Sequence, residues 1–170
     1  MRQTAVTCLI ALSVGCGYRV GVRDNALPST LQTIAIPPFT NATARYRLTD
    51  TLPSAVAREF LSRTRYRIVS DEGQADAVLR GSVLNYGAYV SVIDQQTGRS
   101  TGAQVTVAVS LSLFDRRSGK VLWSRPSMEF RQRYEMAIDP RAYFEESDVG
   151  LERLSNEVAR SVVSAVLEAF

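Results

Sequence analysis

Two groups of side chains carry enough charge to do chemistry. The first is acidic: Glu145, Glu146 and Asp148 lie close together, beside Tyr143 and Arg141. Paired carboxylates can share acid–base work, but these residues sit where the sequence predicts the first turns of a helix. Acids suit the positive end of a helix dipole, which is the simpler account of the cluster. The second group is basic: Arg80, Arg99, Arg116, Arg117, Lys120, Arg125, Arg131 and Arg133 recur along a strand-rich stretch. Arg and Lys are the side chains that grip phosphate or carboxylate. A solvated, charged sheet face is the alternative, and Asp115, Arg116 and Arg117 read as ordinary turn residues.

What is missing narrows the chemistry further. There is no histidine in the chain. That removes the commonest general base, the usual partner of a nucleophilic Ser or Cys, and the commonest metal ligand. No glycine-rich phosphate loop follows a strand. No catalytic residue, metal site or cofactor is expected. The formal charge of +3 comes without a Lys/Arg block, so nucleic acid is not an expected partner.

Residues 1–15 have the layout of a secretory signal: Arg2 as the positive start, an apolar run from Ala5 to Val14, then the small Gly15. A run of this length is too short for a transmembrane helix, which needs about 20 residues. Cys16 follows at once. A cysteine there resembles a bacterial lipobox, whose new N-terminal cysteine is acylated. The usual Leu three places before it is Ser13 here, and Leu12 stands one place further back. Lipidation of Cys16 accounts for both cysteines, because Cys8 leaves with the signal and no disulfide is then needed in an oxidising compartment. Each buried methylene adds about 0.8 kcal/mol, so two or three acyl chains anchor a protein firmly. The alternative is a secreted protein with a leftover thiol. Loss of Arg2 takes the balance of 20 basic and 17 acidic residues to 19 − 17 = +2.

The elements that must carry the charged groups follow in order. Residues 16–31 read as a tether, and residues 32–170 as one domain. Thr33–Ile36 is a short strand stopped by Pro37 and Pro38. Leu48, Leu52, Val56 and Phe60 form one apolar helical stripe, flanked by Ala55 and Ala57. Thr49, Asp50 or Thr51 can cap that helix, and Pro53 fits only its first turn, so the helix is expected to begin near Thr51. Arg65–Val69 is a strand and residues 70–74 a turn. In the next strand Leu84, Tyr86, Ala88, Val90 and Val92 share one face, whereas Leu79 and Val83 have the opposite parity. A bulge at Gly81 or Gly87 is expected to reset the phase.

Residues 94–102 form a polar hairpin tip with Arg99 as its one base. Val105, Val107, Val109, Leu111 and Leu113 then alternate with Gln104, Thr106, Ala108, Ser110 and Ser112, a strand with one apolar and one small, wettable face. Asp115–Gly119 is a tight turn with glycine in the left-handed position. A strand returns from Lys120, is interrupted at Pro126, and continues through Met128, Phe130 and Tyr134. Asp139-Pro140 starts a helix, and Ser147 or Asp148 caps a second, longer run. Its stripe is Leu151, Leu154, Val158, Val162, Ala165, Val166 and Phe170, with Glu152, Arg153, Glu157 and Arg160 facing water. The fold class is α+β. Two helices cover one face of a four- to five-stranded, mixed but mostly antiparallel sheet in a two-layer sandwich. The other face is polar.

The chain resembles the LPS-assembly lipoproteins (LptE) from Cys16 to its end. The resemblance rests on Cys16-Gly17-Tyr18, on Thr33-Ile34-Ala35-Ile36-Pro37 with Phe39-Thr40-Asn41, and on Leu48-Thr49-Asp50 through Phe60 to Tyr66. It continues in Ala75-Asp76-Ala77-Val78-Leu79-Arg80-Gly81, Thr97-Gly98-Arg99, Gly119-Lys120-Val121-Leu122 and the closing amphipathic helix. It implies two helices on a four-stranded mixed sheet and no catalytic residues. It also implies a lipid anchor in the outer membrane at its periplasmic face, a place inside the LptD β-barrel, and a part in delivering lipopolysaccharide to the cell surface. The family's lipopolysaccharide contacts fall on basic residues near strand tips. Carried over, that role goes to Arg99 first, then Lys120, Arg125 and Arg131. The competing readings are an outer-membrane lipoprotein that binds a protein or the cell wall, a soluble secreted binding protein if Cys16 is not acylated, and an enzyme.

Overall fold

The computed structural model describes residues 31–93, 95–96, 100–135 and 140–170. The signal, Cys16, the tether up to residue 30, and Arg99 therefore lie outside the described residues; Leu31, expected to end the tether, is 5% exposed and packs in the core instead.

Six strands form one sheet against two helices. In chain order the elements are β1 (Thr33–Ala35), β2 (Thr40–Asn41), α1 (Leu48–Arg63), β3 (Arg67–Val69), β4 (Ala77–Ile93), β5 (Ser100–Asp115), β6 (Val121–Glu135) and α2 (Pro140–Leu167). The main path across the sheet is β3-β1-β4-β5-β6, and two-residue β2 pairs with β4 off that path. β1 runs parallel to both β3 and β4. The helix α1 supplies the crossover that parallel β1 and β3 require. β4, β5 and β6 are an antiparallel meander. The expected two-layer α+β fold is the observed one, with β2 as the small addition.

The alternation in β5 sets the layers. Val107, Val109, Leu111 and Leu113 are 1% exposed or less and join one core with Leu48, Leu52, Val56 and Phe60 of α1. From α2 the core takes Leu154, Val158, Val162 and Val166, as the stripe predicts, together with Ala159 and Val163. The buried face of α2 is wider than one stripe because α2 packs on both α1 and β6. Arg63 Nη1 donates to Ser164 Oγ at 2.7 Å, tying the two helices near their C-terminal ends.

Three local expectations are corrected. α1 begins at Leu48, not near Thr51, and its N-cap is Arg47, which makes no side-chain cap bond. Pro53 lies in the second turn and has no N–H to give to the Thr49 carbonyl. The N–H of Phe39 takes that carbonyl instead, at 3.0 Å, so a proline inside the helix leaves no orphan acceptor there. The bulge in β4 falls between the two glycines. Val83 pairs with Val109 and Asn85 with Ala108, so Leu84 is the extra residue and is 44% exposed, not part of the core face. Gly81 faces the core, where a Cβ would come within 2.8 Å of the Phe39 ring. Finally, α2 is one helix of 28 residues from Pro140, without a new start at Ser147 or Asp148.

Pro126 does not end β6. Between the pairs Val109–Met128 and Leu111–Arg125, β5 has one residue and β6 has two, so Pro126 and Ser127 form a bulge. β6 is an edge strand, the position where a missing N–H is tolerated. The β5–β6 turn matches expectation: Gly119 has φ +68°, and its N–H donates to the Asp115 carbonyl at 2.8 Å.

Candidate functional site: the uncovered sheet face

Register places the polar residues of three strands on the sheet face opposite the helices. On β5 these are Gln104, Thr106, Ala108, Ser110 and Ser112, all half-buried. From β4 they pair with Tyr89, Gly87, Asn85, Ser82 and Arg80. On β6, Arg133 stands beside Gln104, Arg131 beside Thr106, Glu129 beside Ala108, and Ser124 beside Ser112. Hydrogen bonds cross the strands: Arg133 Nε donates to Gln104 Oε1 at 3.2 Å, and the Ser112 and Ser124 hydroxyls are 2.8 Å apart. A shallow depression of about 320 Å³ opens on this face, floored by Thr106 and Ala108 and walled by Asn85, Tyr89, Gln104, Glu129 and Arg131.

The basic residues singled out from the sequence do not converge. Arg131 lies on the uncovered face, in an ion pair with Glu129 at 2.8 Å. Arg125 is an exposed residue at the β6 bulge, and its guanidinium lies 5.7 Å from the Trp123 ring centre. Lys120 sits in the β5–β6 turn. From there to Arg131 is roughly 35 Å along the strand at about 3.3 Å per residue, so these two cannot hold one phosphate. Arg80 is also engaged, with Glu72 at 2.8 Å and over the Phe114 ring at 5.8 Å. Glu145, Glu146 and Asp148 fall in the second and third turns of α2, and their side chains lie outside the described residues.

Sequence reasoning passed over Asp76, which proves to be a hub. Its Oδ2 accepts from the N–H groups of Gln32 and Thr33, each at 3.0 Å, and from the Thr33 hydroxyl at 2.8 Å. The Gln32 N–H, then the Thr33 hydroxyl, hold its carboxyl below the usual carboxylate range. Its backbone carbonyl accepts from the Arg116 N–H at 2.9 Å. One residue thus joins the start of β1 to the β5–β6 turn. The mixed pattern of Ala75-Asp76-Ala77 gave no signal for this beyond an acid between two small residues. Glu129 was passed over too. Its spacing of two from Arg131 on a strand puts both on one face, and that signal was readable. Among the described residues no acidic or cysteine cluster is placed to hold a metal ion, and no helix is long and apolar enough to cross a membrane.

Known structures share the fold. Rare lipoprotein B from Shewanella oneidensis aligns with a TM-score of 0.54 at 14% identity, over 80% of this chain and 94% of that one. Lipoprotein B from Nitrosomonas europaea aligns at 0.54 and 14%, over 89% and 96%. PelC from Paraburkholderia phytofirmans, a dodecamer, aligns at 0.52 and 20%, over 81% and 87%. Identities this low establish the architecture alone. No curated protein is matched by the sequence. The model of the family LptE, lipopolysaccharide-assembly, matches residues 31–166, which span every described strand and both helices almost to the end of α2. On that match, the chain belongs to the LptE lipopolysaccharide-assembly family.

Proposed function

We propose that this protein is a non-catalytic lipoprotein of the outer membrane that sits within an LptD-type β-barrel and supports lipopolysaccharide transport to the cell surface. Acylation of Cys16 would hold it at the periplasmic face. The observation that carries the reading, beside the family match, is the difference between the two faces of the sheet. One is sealed by α1 and α2. The other presents the half-buried Gln104, Thr106, Ser110 and Ser112 without an apolar cover. A sheet face of short hydroxyl and amide side chains suits a wet, polar wall, which a large barrel lumen provides.

Of the basic residues, Arg99 and Lys120 remain proposed contacts for lipopolysaccharide phosphates. Arg125 and Arg131 are weaker members of that set, since each already has a partner. A photo-reactive residue placed at Thr106 in cells tests the face assignment. The reading expects an adduct with a β-barrel protein at Thr106 and none at Arg58, on the exposed side of α1. Adducts at Arg58 but not at Thr106 would mean that the helices, not the sheet, face the partner.

A further inference from the structure

Three arginines stand on the uncovered sheet face, and two of them bring their own carboxylate. Register puts Arg80 beside Ser112, Arg131 beside Thr106 and Arg133 beside Gln104. Arg80 lies 2.8 Å from Glu72, and Arg131 lies 2.8 Å from Glu129. Arg133 differs. Its Nε donates to Gln104 Oε1 at 3.2 Å, a neutral acceptor. Among the described residues it meets no carboxylate. The described side chains of this face are therefore net basic, and the surplus charge sits at Arg133.

Gln104 is half-buried on β5, a strand paired on both sides, so the acceptor that holds Arg133 is itself well fixed. The bond occupies the Nε edge of the guanidinium and leaves the two terminal nitrogens. That remaining fork takes a carboxylate through two parallel hydrogen bonds. Arg133 is exposed, and the depression lined by Gln104, Thr106 and Arg131 opens beside it. While the face is open, water solvates the guanidinium. A wall that covers the face removes that water, and a charge buried without compensation is strongly unfavourable. Arg80 and Arg131 go under such a wall as neutral pairs. Arg133 does not, so the wall has to supply the negative charge.

We propose that the surface covering this face carries an Asp or Glu carboxylate opposite Arg133, and that this ion pair fixes the β6 side of the sheet against the inner wall of the barrel. The inference rests on the barrel reading above and names the chemistry of the partner at that face.

Lys120 is the one lysine of the chain, which makes the test specific. In the full, acylation-competent chain, Lys120→Arg removes that amine and Arg133→Lys installs a single one at the site. A carbodiimide applied to outer membranes then joins an amine to a carboxylate already in contact with it, as an amide with no spacer. The expected result is a bond between residue 133 and an Asp or Glu of the β-barrel protein, located by mass spectrometry. It should be absent in the chain that carries Lys120→Arg alone. Separately, Arg133→Glu should lower the recovered barrel about tenfold or more, and Arg58→Glu, on the exposed side of α1, should leave it unchanged.

Four outcomes would overturn the inference and leave the barrel reading standing. They are coupling of residue 133 to Glu135 of its own chain, coupling to a lipopolysaccharide phosphate in place of protein, no coupling at residue 133 in a chain that still retrieves the barrel, and full barrel recovery by Arg133→Glu. A native chain that retrieves no barrel overturns both.

Discussion

The Asp76 carboxylate closes on Thr33 from both sides of that residue, accepting its backbone N–H at 3.0 Å and its hydroxyl at 2.8 Å. In return the Asp76 N–H donates to the Thr33 hydroxyl oxygen at 2.9 Å and to its carbonyl at 3.0 Å. The first residue of β1 and the residue before β4 are thereby locked at the point where the parallel and antiparallel parts of the sheet meet. Thr33 is 4% exposed, so its donors have little water to fall back on. Asp76→Ala should therefore lower stability at pH 7 by about 1–3 kcal/mol in urea unfolding, with Asp76→Asn in between.

The same carboxylate makes that loss depend on pH. Its native pKa is lowered, chiefly by the Gln32 N–H and then by the Thr33 hydroxyl. A group whose native pKa lies below its unfolded value stabilises fully above the unfolded value, about 3.9 for Asp. The contribution is lost as pH falls from there through the native value. The stability gap between the native chain and Asp76→Ala should stay constant from pH 7 to about 5 and narrow below about 4. A gap that widened in acid would contradict this reading.

The two faces of β5 differ by one residue of phase, which gives a paired prediction. Val109 is fully buried, and Val109→Asp would bury an uncompensated charge at a cost of several kcal/mol. That exceeds what a domain of marginal stability can absorb, and soluble expression should be lost. Ser110→Asp, on the uncovered face, should fold with stability within about 0.5 kcal/mol of the native chain and weaken association with a barrel. Solubility, thermal unfolding and co-purification of the two variants decide it.

Arg125 lies over Trp123, the only tryptophan in the chain. Trp123 is 5% exposed, and its indole N–H has no hydrogen-bond partner among the described residues. Arg125→Ala should uncover the ring. Tryptophan emission should shift to the red, acrylamide quenching should rise, and stability should fall by about 0.5–1 kcal/mol, the usual worth of an exposed cation–π contact. Arg131→Ala, on the other face of the sheet, should leave the fluorescence unchanged.

Much of this fold was legible because period-2 and period-3.6 patterns were clean where packing is one-sided. Val105 through Leu113, and Leu48 through Phe60, all fell where their periods put them. The misses share a cause: each depends on a partner that local sequence does not name. Leu84 leaves the core face because β5 has no residue to oppose it. Pro53 sits inside α1 because Phe39, brought in by β2, satisfies the Thr49 carbonyl. Ser147 and Asp148 are of cap-forming type and predict a helix start, yet α2 runs through them. For the candidate face, the small and polar side of β5 could be read from the sequence. The separation of Lys120, in the turn before β6, from Arg131 could be read from their spacing as well, whereas the packing of the Arg125 guanidinium over Trp123 could not, because spacing does not show which neighbour a long side chain covers.

The central claim is association with a barrel, and the most direct test is affinity purification of the tagged, acylation-competent chain from detergent-solubilised outer membranes. The account predicts one β-barrel protein of the LptD type in a stoichiometric band, retained through washing and reduced in the Ser110→Asp chain. A chain that is recovered from the membrane alone, or with cell-wall proteins in place of a barrel, would contradict it.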